Sequence, residues 1–147
     1  MLMTRREALL TLIATLSASL FMAQAKPIVP KLSAGNKLAL AIEEETGGRK
    51  ASESGDVTLQ APDIAEDGSI VPVTVESTLP DVDAIWVFVE KNPTPLAAKF
   101  TLEKSLDPFV SLRVKMNESC EVVALVRSEG EYFSASKKVR VVVGGCG

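Results

Sequence analysis

Period-two alternation runs through most of this chain from Asp56 onward, and it constrains the fold more than any other feature. In "SIVPVTVES", Val71, Val73 and Val75 share one face while Thr74 and Glu76 share the other. Pro72 cannot donate to a ladder, so that run belongs at a sheet edge or a bulge. In "AIWVFVEKN", Ile85, Val87 and Val89 oppose Trp86, Phe88 and Glu90, so both faces are largely apolar and the run suits a central strand. "KFTLEK" adds a short strand. "PFVSLRVKM" alternates Phe109, Ser111, Arg113 and Lys115 with Val110, Leu112, Val114 and Met116. "CEVVALVRSEGEYFSASKKVRVVV" reads as two strands around a turn at Ser128-Glu129-Gly130. With Val57 and Leu59 opening the series, there are seven short strands in about 90 residues, separated by regular turn signals. The fold class is all-β, and the arrangement expected is an antiparallel β-sandwich of immunoglobulin-like type.

Upstream, "GNKLALAIEEETGG" (35–48) predicts one short helix. Asn36 is placed to cap it, Leu38, Ala41 and Ile42 share a face, and Gly47-Gly48 ends it. Glu43, Glu44 and Glu45 crowd its C-terminal end, where the helix dipole disfavours negative charge. Such a helix depends on packing against something else.

Residues 1–25 read as an export signal. Arg5-Arg6 form a basic start, an apolar stretch runs from Ala8 to about Phe21, and Ala23-Gln24-Ala25 is a small-x-small cleavage site. Thr4-Arg5-Arg6 resembles a twin-arginine signal, which implies a periplasmic destination for an already folded protein. The apolar stretch is shorter than the roughly 20 residues of a membrane span. The expected organisation is therefore a signal at 1–25, a sandwich with its helix at 26–143, and a short arm at 144–147.

The 147 residues include no histidine. The commonest general base and metal ligand is missing, and no Ser-His-Asp or Cys-His arrangement can be built. The signal holds two of the 16 basic residues and one of the 19 acidic ones, so the remainder carries 14 and 18, net −4. A mildly acidic domain with no basic cluster argues against nucleic acid as a partner. No later segment is apolar enough to suggest a membrane partner.

Chemistry is left to the two cysteines, Cys120 and Cys146. Cys146 stands in "VVVGGCG", flanked by Gly144, Gly145 and Gly147. Those glycines predict a mobile arm, since they carry no side chains and leave the backbone free. Four residues span at most about 13–14 Å, and such a thin tip can enter a narrow cleft. The nearest fixed charge is the terminal carboxylate, which disfavours a thiolate. Cys146 is thus expected to carry a group that other proteins activate, with no catalytic residue or cofactor in the chain itself. The alternative is a Cys120–Cys146 disulfide, which would make the protein a locked binding or scaffold module. Trp86 is open to two readings, core or partner-facing.

The terminal Gly-Gly-Cys behind a sandwich and a twin-arginine-like signal resembles the SoxY family, the sulfur-carrier subunits of periplasmic thiosulfate-oxidising Sox systems. Two internal stretches share in the resemblance. One is "AIEEETGGRKASESGDVTLQAPDIAEDGSIVPVTVES" with its A-E-x-G-x-x-V-P-V-x-V run, and the other is "VFVEKNPTPLAAKF" with its "EKNP-x-P" segment. The resemblance implies a heterodimer with SoxZ and covalent attachment of thiosulfate-derived sulfur to Cys146. It also implies passing contacts with a c-type cytochrome, a di-manganese hydrolase and, where present, a molybdenum–haem sulfane dehydrogenase. The family commonly ends with two glycines after the cysteine, whereas this chain has only Gly147.

Overall fold

A computed structural model describes residues 34–145 of the chain. Helix α1 (Ala34–Thr46) closes at the two glycines anticipated for it. Gly47 and Gly48 have φ of 64° and 81°, and the Gly48 amide donates back to the Glu43 carbonyl at 3.0 Å. That six-to-one bond with a left-handed glycine is a Schellman ending. Asn36 lies inside the helix as its third residue, so it does not cap it.

Nine strands follow among the described residues: β1 (Ala51–Glu53), β2 (Val57–Gln60), β3 (Ile64–Asp67), β4 (Val71–Ser77), β5 (Val82–Val89), β6 (Leu96–Thr101), β7 (Phe109–Val114), β8 (Cys120–Ser128) and β9 (Glu131–Val143). The larger sheet has the order β1-β9-β8-β5-β6, with β3 also paired to β9, and the smaller has the order β2-β4-β7. Seven of the strands match the alternating runs, with β6 starting three residues earlier than "KFTLEK" suggests. The other two, β1 and β3, are short and both pair parallel to β9. The sandwich is therefore mixed at that edge, not antiparallel throughout.

Local chemistry accounts for the connections. β8 and β9 meet at Glu129 and Gly130, with φ of 50° and 82° and the register Ser128↔Glu131. Two positive-φ residues in a two-residue loop make the turn whose twist suits a hairpin. Pro72 sits in β4 opposite Arg113 of β7. β2 covers only Thr74 to Ser77 of β4, so Pro72 lies beyond its end, at a local edge.

The core has two layers, one on each face of the larger sheet. Between the sheets lie Val71, Val73 and Val75 of β4 against Ile85, Val87, Val89, Val122, Val126 and Val139. On the other face, Trp86, Phe88, Leu125 and Tyr132 are covered by Leu38, Ala41 and Ile42 of α1. β5, flanked by β6 and β8, is buried on both faces as its pattern requires. Trp86 is 1% exposed, which resolves its two readings in favour of core.

This second layer also answers the acidic helix end. Glu45 accepts hydrogen bonds of 2.7 Å from both Trp86 Nε1 and Lys99 Nζ. The Lys99 bond, then the Trp86 bond, holds the Glu45 carboxyl below its ordinary value of 4.5. A depressed folded-state value means that Glu45 stabilises the protein above about pH 4.5. That contribution is lost as the pH falls through the lower folded-state value. Glu45→Gln is expected to cost roughly 1 kcal/mol at pH 7. The gap from wild type at pH 7 should exceed the gap at a pH well below 4.5 in denaturant titrations followed by Trp86 fluorescence. An equal gap at both pH values would contradict the assignment.

Candidate functional site

The last strand leads to the Gly-Gly-Cys-Gly stretch, and its end outruns its neighbour. The final β8 partner of β9 is Cys120, opposite Val139. Beyond that point the Ser119 hydroxyl replaces the ladder, accepting from the Val141 amide at 2.9 Å and donating to the Val141 carbonyl at 3.3 Å. β3 supports β9 from Ile64↔Arg140 to Asp67↔Val143.

The backbone bonds then continue past the strand. The Gly68 amide donates to the Val143 carbonyl at 2.7 Å, and the Met116 amide donates to the Gly68 carbonyl at 2.7 Å. The Gly145 amide donates to the Met116 carbonyl at 3.0 Å. Residues 143–145 are thus tied to the β3–β4 turn and to the loop between β7 and β8.

This geometry adds a steric demand to the mobility that the sequence predicts for Gly144 and Gly145. A Cβ on Gly144 would run into the Asn117 carbonyl, and one on Gly145 would stand 2.8 Å from the Gly68 carbonyl oxygen. Gly145 is buried. Both positions need glycine for close backbone approach, in addition to any freedom glycine confers. Gly68 faces the same restriction, since its Cβ would meet the Met116 carbonyl and stand 2.9 Å from the Gly145 nitrogen.

Cys120 is a free thiol, 3% exposed and packed in the inter-sheet core. Burial is the main influence on it and pushes its pKa up. It packs as a small apolar side chain whose thiolate form burial disfavours, and it carries no disulfide. Cys146, Gly147 and the signal arginines Arg5 and Arg6 lie outside the described residues.

A family model described as "Sulfur oxidation protein SoxY" matches residues 42–146. The chain belongs to the SoxY family. The match runs from within α1 through the whole sandwich to Cys146. Among solved structures, the sulfur carrier protein SoxY from Chlorobium limicola f thiosulfatophilum is 34% identical, with a TM-score of 0.69. That likeness covers 74% of this chain and 94% of the other. Two further structures are more distant. The human F-spondin reeler domain has 12% identity and a TM-score of 0.43, covering 65% of this chain and 95% of its own. The PmoD soluble domain from Methylocystis has 11% and 0.42, covering 65% and 98%. No curated protein matches the chain. SoxY-family membership and the Chlorobium likeness make this a carrier protein of sulfur oxidation, built on an all-β sandwich with one short helix among the described residues.

Proposed function

We propose that this chain is the non-catalytic subunit that holds thiosulfate-derived sulfur on the thiol of Cys146 while partner enzymes process it. The observation that carries the reading is a family match reaching residue 146, in a chain whose other thiol is sealed in the core. The lack of histidine supports a carrier that relies on others for acid–base chemistry.

The chemistry follows from the thiol. Oxidative coupling joins the Cys146 sulfur to the terminal sulfur of thiosulfate: R–SH + S2O3²⁻ gives R–S–S–SO3⁻, one proton and two electrons. A c-type cytochrome takes the electrons. Hydrolysis with one water then releases sulfate and a proton and leaves R–S–SH on the protein, the task of the di-manganese hydrolase. A sulfane dehydrogenase, where present, oxidises the remaining sulfur. The chain itself needs no cofactor. A SoxZ partner completes the carrier, and the Arg5-Arg6 signal delivers the folded pair to the periplasm.

Intact mass measurement of the protein from thiosulfate-grown cells tests this. The expected result is added sulfur confined to the C-terminal peptide and removed by a reductant. An unmodified C-terminal peptide in cells actively oxidising thiosulfate would sink the proposal.

A further inference from the structure

Three stretches far apart in sequence meet at one end of the sandwich. The first is the A-E-x-G-x-x-V-P-V-x-V run, whose glycine is Gly68. The second is the "EKNP" segment, whose asparagine is Asn92. The third is the Gly144-Gly145 pair. Gly68 touches the base of the arm directly, through the bond to Val143 and the close approach to Gly145. Asn92 acts one step away. Its Nδ2 donates to the Lys115 carbonyl at 2.7 Å, and its Oδ1 accepts from the Asn117 amide at 3.1 Å. The residue between those two anchors is Met116, whose carbonyl receives the Gly145 amide. Met116 itself is fully buried, so the loop is fixed by its side chain as well.

We infer that Gly68 and Asn92 are positioning residues for the carrier thiol. Together they form a dock that holds the arm base through Gly145, one residue short of Cys146. With the dock closed, the chain that can move beyond it is short. With the dock open, the free segment begins after Val143, and Cys146 reaches further from the sandwich. Gly68 makes the dock possible sterically, because any side chain there would displace the Met116 carbonyl or the Gly145 nitrogen. Asn92 holds the acceptor carbonyl in register, which a hydrophobic residue of similar size could not do. The consequence for sulfur transfer rests on the carrier reading above, but the dock does not.

The experiment reads the dock without cargo. The purified full mature chain is studied as wild type, Asn92→Ala and Gly68→Ala, with Glu45→Gln as a variant destabilised far from the arm. Amide hydrogen exchange at Gly145 and alkylation of Cys146 by iodoacetamide are measured, with Cys120 as the buried internal standard. The expected result is a protected Gly145 amide in wild type. In Asn92→Ala, exchange there and labelling of Cys146 should each rise by about fivefold, the scale of one lost hydrogen bond. The increase should be larger in Gly68→Ala and absent in Glu45→Gln. A Gly145 amide that exchanges freely in the wild type overturns the inference. So does Cys146 labelling unchanged in both dock variants, or raised equally by Glu45→Gln, which would mark a general loss of stability. Should Asn92→Ala fail to fold, wild-type protection at Gly145 and the Gly68→Ala result still decide the matter. A dock confirmed in a protein that never acquires sulfur would refute the carrier reading alone.

Discussion

Replacing Cys146 with serine is expected to reduce thiosulfate-derived adduct on the chain to background while leaving the fold untouched. A serine oxygen cannot form or exchange the sulfur–sulfur bond on which the cargo hangs. Cys120 offers no substitute, because it is 3% exposed with its pKa raised by burial. The bonds that hold residues 143–145 to the sandwich are backbone bonds that the substitution does not touch, so the melting temperature should stay at the wild-type value. The companion variant Cys120→Ala should do the reverse. It removes one buried sulfur at a cost of roughly 1–2 kcal/mol and leaves the adduct in place. Mass spectrometry of the C-terminal peptide, with thermal melts of both variants, separates the two roles. An adduct surviving in Cys146→Ser would defeat the carrier assignment at that residue.

The largest stability effect is expected at Trp86. Its ring is 1% exposed between the larger sheet and α1, and it stacks at a tilt 5.8 Å from Tyr132. Lys99 and Arg127 lie 5.4 and 5.8 Å from its centroid. Trp86→Ala removes that surface, opens a cavity beneath the helix and leaves Glu45 with one donor fewer. The expected cost is about 3–5 kcal/mol, which lowers the melting temperature by more than about 10 °C. Trp86→Phe keeps most of the volume and loses the Nε1 donor, so it should cost only about 1–2 kcal/mol. A loss below about 1 kcal/mol in Trp86→Ala would mean that α1 does not seal this face. The helix would then be a loosely held flap.

Much of this architecture is legible in the sequence because alternation and burial coincide. β4 buries Val71, Val73 and Val75 as its pattern demands, and β5 is apolar on both faces because α1 covers the second one. β1 and β3 escape such reading for a physical reason. "ASE" and "IAED" are too short to show a period, and each becomes a strand only because the long β9 offers free backbone groups beside it. Asn36 shows the limit of local signals at a helix start, since α1 already includes it. At the site, Gly144 and Gly145 suggest mobility when only their neighbours in sequence are considered. Their second role comes from the carbonyls of Gly68 and Asn117, which are distant in the chain and invisible to any local pattern. Gly68 and Asn92 stand inside recognisable motifs, yet their geometry with the arm emerges only from the folded chain.

The strand that ends in the arm is also a mechanical anchor. β9 has 13 residues and is held by β8 on one edge, by β1 near its start and by β3 near its end. Its partners run alongside it, so a load applied along its axis acts parallel to all three ladders. Such a load strains many backbone bonds together in shear, where a strand pulled sideways would unzip them one by one. On the carrier reading proposed above, a partner drawing on the arm along that axis would leave the domain behind it intact.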